Sequence, residues 1–382
     1  MLFIHDHTFL RNNGATYTTG SLNQGIMDRY LNWFSNVSVF ATTRTTNVEK
    51  DVAFINEKNK VENIDFKLVQ KSHSPLRLMQ YAKLIEQAVR KADYVVVRMS
   101  IFGAIGVHYA RRWHVPYLVE MVACPWDSLW YHGTKGKIVA PWMALLTKRV
   151  CKVAPYVLYV TSEFLQRRYP TNGLSVGCSD VDLPKVEEAT LQRRLSKIQS
   201  KSQAEPLRLV TVANVEVRYK GQETVIKAVS KLRQRGINVE YNLVGGGSSQ
   251  RLEQLTKKLE IQDYVHFLGP QAHDDIFGIL NRMDIYVQPS FQEGLPRAVV
   301  EAMSQGCPVI GSTAGGIPEL LESDCVFQKG SVNQLVKAIV GFNQKKMETQ
   351  AKRNYLKATE FEATQLEKCR TDFYTTFRNH FS

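Results

Sequence analysis

The sequence has no clustered cysteines. Cys124, Cys151, Cys178, Cys307, Cys325 and Cys369 are scattered singly through 382 residues, with no C-x-x-C pair. That spacing excludes zinc ribbons and disulfide frameworks and suits a reducing cytoplasm. Long apolar runs are also missing. Nothing approaches the ~20 residues that span a bilayer, and Met1-Leu2-Phe3-Ile4 runs straight into His5-Asp6-His7 with no leader pattern. The expectation is a soluble chain. Phosphate-loop spacing G-x-x-x-x-G-K-[ST] is absent, and Gly245-Gly246-Gly247 lack the G-x-G-x-x-G spacing of a dinucleotide site. No helix-turn-helix, zinc-finger or RNP-type pattern is present, so nucleic acid is not an expected partner. His5, Asp6 and His7 point alternately and have no partner cluster, so no metal site is expected there. Acidic residues are in short supply, 36 against 49 Lys and Arg, giving a net charge of +13. Such a charge fits an anionic membrane or diphosphate-linked substrates, or general surface basicity.

The length suits two α/β domains. The most informative stretch is Asp284 to Leu320, DIYVQPSFQEGLPRAVVEAMSQGCPVIGSTAGGIPEL. An apolar run from Asp284 to Gln288 predicts a buried strand, and Pro296 predicts the first position of a helix that ends at Gly306. Pro308 to Gly311 predicts a second strand, followed by the Gly315-Gly316 turn and a helix opened by Pro318. This alternation is the grammar of a parallel α/β fold. Two helix N-termini, after Glu293 and after Gly316, offer unpaired N–H groups to a diphosphate. Glu293 and Glu301, with seven residues between them, would repel phosphate and instead suit sugar and ribose hydroxyls. The residues therefore point to a nucleotide-sugar enzyme.

The same stretch, PSFQEGLPRAVVEAM followed by PVIGSTAGGIPEL, resembles the signature of family 4 retaining glycosyltransferases. The similarity continues through VANVEVRYKGQETVIKAV, YNLVGGGS and VHFLGP, covering most of the chain after Pro206. It implies a GT-B fold: two Rossmann-like domains facing across a cleft. The domains are then residues 1–180 for the acceptor, a charged linker 181–205, 206–355 for the nucleotide sugar, and a C-terminal helix 356–382 packing back on the first domain. The resemblance implies that Lys220 and Arg218 hold the donor diphosphate, Arg218 standing in for the arginine that the family carries at Asn214. It places Glu301 on the ribose and Glu293 on the sugar, with Gly294, Leu295, Pro296, Gly246, Gly315, Gly316 and Gly14 lining the donor. A front-face, metal-independent transfer follows, with no cofactor beyond a UDP- or GDP-linked donor. The chain as a whole resembles bacterial members that build capsule, exopolysaccharide or O-antigen. A lipid-linked or oligosaccharide acceptor and a cytoplasmic, peripheral place at the plasma membrane are implied. A sugar-nucleotide epimerase and a non-catalytic donor- or lipid-binding subunit are the alternatives.

The first half departs further from that family. Val122-Ala123-Cys124 stand where many members carry a histidine, leaving Trp126, Asp127 and His132 as the nearest candidates for acceptor contact. Trp126, Trp130 and Trp142 are interleaved with Lys135, Lys137, Lys148 and Arg149. That pattern fits an interface with lipid headgroups, or aromatics lining the core or cleft. Leu2 to Ile4 predicts a first strand followed by a glycine-spaced loop, and Tyr156 to Thr161 the last strand of the domain. Asp180 and Asp182 are expected to be structural.

Overall fold

The computed structural model describes residues 1–20, 22–46, 51, 54–72 and 74–381. Two sheets organise it. The first is built from β1 (Leu2–Asn12), β2 (Ala15–Thr18), β3 (Ser38–Arg44), β4 (Lys60–Val61), β5 (Asp65–Gln70), β6 (Val95–Arg98), β7 (Tyr117–Met121), β8 (Tyr156–Tyr159) and β9 (Leu174–Gly177). Its parallel centre runs β5-β3-β1-β6-β7-β8-β9, and β2 and β4 add an antiparallel margin on β1. The second sheet is wholly parallel, in the order β12-β11-β10-β13-β14-β15. Its strands are β10 (Leu207–Val212), β11 (Val239–Val244), β12 (Val265–Gly269), β13 (Ile285–Gln288), β14 (Val309–Ser312) and β15 (Val326–Phe327). Central strands such as Val95–Arg98 and Tyr117–Met121 are buried along their whole length, because helices cover both faces. Each sheet is doubly wound, and the chain has the two-domain GT-B architecture.

The first strand is longer than its apolar run foretold. Ile4 pairs with Phe40 and Thr8 with Thr42, so four steps on β1 match two on β3. His5, Asp6 and His7 form this bulge, which re-aims their side chains. The predicted glycine loop is a hairpin instead. Asn13 and Gly14 turn it with φ of 48° and 79°, the left-handed pair that tight hairpins demand. β9 was not foreseen either: it is an edge strand with mostly exposed residues and no buried face to mark it.

The charged segment after Asp182 contains a helix, Glu188–Ser200, held to the second domain by Arg194. The buried Arg194 guanidinium donates to the carbonyls of Gln305, Met283 and Leu280. The last helix, Ala363–His380, lies against the first domain, where Leu366, Phe373, Tyr374 and Phe377 share a core with Phe3, Tyr30 and Trp33. Arg98 and Glu120, at the C-terminal ends of β6 and β7, form a buried ion pair of 2.7 Å. Tyr30 and Tyr374 both donate to the Glu120 carboxylate. Among the described residues no helix is long and apolar enough to cross a membrane.

Candidate active site

The site is assembled at the C-terminal ends of the parallel strands, where open α/β sheets leave a crevice. Asn214 stands just past the end of β10. Its Oδ1 accepts from the backbone of Glu216 at 2.9 Å and Val217 at 3.3 Å, closing an Asx turn. Its carbonyl accepts from Gln222 Nε2 at 3.0 Å. Asn214 thus shapes the loop that carries the short turn Arg218–Lys220. Gly221 follows at φ 75°, and a Cβ there would run into the carbonyl of Pro289. Only glycine lets this turn press against the end of β13. Arg218 is exposed, and its guanidinium has no hydrogen bond or ion pair among the described residues. Lys220 is partly buried, with Nζ 2.8 Å from Glu293 Oε1.

Glu293 is fixed by its neighbours. Gln288 Nε2 donates to Oε1 at 2.9 Å and Ser290 Oγ donates to the same oxygen at 2.6 Å. Tyr286 holds Gln288 in turn, donating to its Oε1 at 2.5 Å. Three donors on one oxygen set the carboxylate's orientation. The sequence assigned Lys220 to phosphate and Glu293 to sugar; in the structure the two are paired with each other.

Glu301 is different. It lies on the helix Arg297–Ser304, is 5% exposed, and its carboxylate has no hydrogen bond among the described residues. Its neighbour is His273, with Nε2 at 3.5 Å from Oε1. Burial pushes the Glu301 carboxyl above its ordinary range, opposed in part by Arg297 and His273. Pro296 precedes this helix as its N-cap rather than opening it at the first turn. Sequence reasoning missed His273, since no spacing ties the start of the helix His273–Arg282 to Glu301.

Of the predicted glycines, Gly246 accepts through its carbonyl from Val215 at 3.0 Å, lying beside the Asn214 loop. Gly315, at φ 56°, sits under the carbonyl of Glu293, and Gly316 donates its amide to Gly294 at 2.7 Å. The Gly316 amide is therefore committed, and the helix behind it, Ile317–Leu320, is only one turn long. Leu295 packs on the core of the second domain. Gly14 lies at its hairpin tip, open to space on the side where a Cβ would stand.

Loops of the two domains meet around these groups. A Cβ on Gly294 would come within 2.9 Å of the carbonyl of Val122. Gln292 Nε2 donates to Ser128 Oγ at 3.3 Å, and the rings of His132 and Tyr219 lie 5.5 Å apart. Glu319, which the sequence did not single out, accepts from Ser162 N at 2.7 Å and from Phe164 N. Of the other two acceptor candidates, Asp127 is buried with Arg168 at 3.6 Å, and Trp126 stacks on Trp130 at 5.2 Å. His132 alone of the three approaches the second domain. In the β1 bulge, His7 N donates to His5 Nδ1 at 3.0 Å and His7 Nε2 pairs with Thr18 Oγ1 at 2.9 Å. Burial and the charge of Arg98 bring His5 down to about 3 and His7 to about 4, so both are neutral at pH 7. Among the described residues no three His, Cys, Asp or Glu side chains gather as metal ligands.

The model of the family described as glycosyl transferases group 1 matches residues 206–344. Over 348 residues the chain is 31% identical to protein CapJ of Staphylococcus aureus, covering 89% of this chain and 85% of that one. The chain belongs to the group 1 glycosyltransferases. The glycosyltransferase also shares 32% identity over 138 residues with the putative colanic acid biosynthesis glycosyltransferase WcaL of Escherichia coli, about a third of each chain (34% and 34%). Among solved structures, sucrose-phosphate synthase of Thermosynechococcus elongatus superposes with a TM-score of 0.68 at 17% identity, covering 99% of both chains. Anabaena HepE in complex with UDP gives 0.66 at 16% identity, covering 98% of this chain and 99% of that one. These likenesses are of fold.

Proposed function

We propose that this glycosyltransferase moves a sugar, with retention and without a metal, from a UDP- or GDP-linked donor to a lipid-linked saccharide in bacterial surface polysaccharide synthesis. The observation that carries the reading is the contrast between two carboxylates. Glu293 is fixed by three donors, whereas the Glu301 carboxylate accepts no hydrogen bond among the described residues and is free to take a ligand's hydroxyls. The relatives named for capsule-type polysaccharides and the UDP-bound neighbour support the substrate class.

In this reading Glu301 takes the ribose hydroxyls and Glu293 the donor sugar. Lys220 leaves Glu293 for the diphosphate, with the unpartnered Arg218 beside it, and both stabilise the charge that grows on the leaving group. Gly294, Leu295, Pro296, Gly246, Gly315 and Gly316 shape the donor's wall, the last through its bond to Gly294. The bond between the anomeric carbon and the phosphate oxygen breaks. The acceptor oxygen bonds to that carbon on the same face, and its proton passes to the departing phosphate. Residues 1–180 serve the acceptor and 206–355 the donor, with 181–205 linking them and 356–382 returning to the first domain. His132 is the acceptor-side candidate that faces the second domain. The helix Thr134–Val153, exposed and basic, suits peripheral contact with the anionic inner face of the plasma membrane.

Nuclear magnetic resonance of the product tests this directly: the new linkage keeps the donor's anomeric configuration, in the presence of EDTA. An inverted linkage or an EDTA-sensitive rate contradicts it. The rival, a non-catalytic donor-binding subunit, is not favoured by the match to the glycosyltransferase family or by the relatives named as glycosyltransferases. That rival predicts UDP or GDP binding with no turnover on any acceptor.

A further inference from the structure

A cavity in the first domain opens beside the residues that meet the Glu293–Gly294 loop. Its walls come from the β1 bulge, from the segments just past the ends of β6 and β7, and from the helices Pro125–Trp130 and Thr134–Val153. His5, Asp6, Ser100 and Ser128 supply its polar groups. Met99, Ile101, Leu129, Val139 and Met143 supply an apolar lining that a saccharide does not need. Val122 and Ser128, both in the lining, contact Gly294 and Gln292 of the second domain. The cavity therefore shares two wall residues with the contact between the domains.

The back wall also faces outward. Val139 and Met143 line the cavity, while Ile138, Trp142 and Leu145 on the same helix are 69%, 74% and 43% exposed. Lys135, Lys137, Lys148, Arg149 and Lys152 surround them, and no Asp or Glu occurs from residue 128 to 162. An apolar stripe with cations and no acids complements an anionic bilayer surface. One helix thus separates that surface from an apolar cavity beside the contact between the domains.

We propose that this cavity holds the hydrocarbon segment of a lipid acceptor drawn from an anionic bilayer, with His5, Asp6 and Ser128 contacting the hydroxyls of its head. The inference rests on the transferase reading and names the acceptor class. Its test uses n-alkyl β-D-glucosides from hexyl to nonyl as monomers, titrated onto the full chain. Affinity rises about fourfold per methylene until the cavity is filled. Met143→Gln and Leu129→Gln, close to the native volumes, weaken nonyl glucoside at least tenfold, and Met143→Leu restores it. Trp142→Ser, on the outer face, leaves glucoside affinity unchanged but lowers sedimentation with vesicles of phosphatidylglycerol and phosphatidylcholine. Affinity that is flat in chain length, or untouched by both glutamine variants, overturns the proposal. UDP binding measured on the same variants separates the outcomes. If UDP still binds while chain length has no effect, the cavity assignment fails and the donor reading stands; if neither UDP nor GDP binds, the donor reading is what fails.

Discussion

Desolvation of the Glu301 carboxylate works against folding. Its folded-state pKa is raised, so the folded chain holds the proton at a higher pH than the unfolded chain does. The penalty is therefore present above the folded pKa and is relieved as pH falls through it. Glu301→Gln removes it and is expected to raise the melting temperature at pH 7 while weakening nucleotide binding, as scanning calorimetry with and without UDP checks. Nucleotide binding to the wild type weakens as pH falls below that raised pKa, since a protonated carboxyl accepts less well, and the glutamine variant loses this dependence. Lys220→Ala gives the complementary result. The pair with Glu293 is partly exposed and worth ~1 kcal/mol or less, so stability barely changes, whereas kcat falls by about 100- to 1,000-fold if Lys220 steadies the leaving group. The sequence made both carboxylates legible, because they lie in one short strand-to-helix stretch. It did not reveal that Lys220 and Glu293 rest on each other, nor His273 beside Glu301, since those are contacts between distant loops.

At the scale of elements, local signals located most strands and helices to within a residue or two. The apolar runs Asp284 to Gln288 and Pro308 to Gly311 fall at the strands Ile285–Gln288 and Val309–Ser312. The β1–β2 hairpin was hidden because β1 continues through polar His5-Asp6-His7, and its partners there come from β3, far along the chain. Gly14 consequently stands in a hairpin turn. The three tryptophans divide: Trp126 and Trp130, on the helix Pro125–Trp130, stack on one another, while Trp142, on the helix Thr134–Val153, is exposed. Ile138→Ser with Trp142→Ser is expected to reduce binding to anionic vesicles at least tenfold and leave the melting temperature within a degree or two, because exposed side chains contribute little to the fold. Vesicle sedimentation at low and high salt checks this, with wild-type binding weakening as salt screens the lysines.

The whole molecule is tied together by groups that the sequence does not advertise. Glu120 is buried, and the attraction of Arg98, with bonds from Tyr374 and Tyr30, holds its carboxyl below the usual range against the cost of burial. A depressed pKa contributes stability that is present above the unfolded value and lost as pH falls through the folded one. Glu120→Gln leaves Arg98 unpaired in the interior and is expected to cost ~3–5 kcal/mol in denaturant unfolding. Tyr374 belongs to the returning C-terminal helix, so this pair couples the end of the chain to the first domain. Glu319 bridges the domains in the other direction, at the start of the helix Phe164–Arg168. These long-range ties concern how two sheets are joined, and periodicity within either sheet carries no trace of them.

The central claim is that a nucleotide-sugar donor sits between Lys220 and Glu301. Isothermal titration of UDP and GDP onto the wild type and Glu301→Ala, in EDTA, tests it most directly. The account predicts that one of the two nucleotides binds without metal and that Glu301→Ala weakens it about tenfold or more, the worth of hydrogen bonds to a charged group. Equal affinity in both proteins, or no binding of either nucleotide, would contradict it.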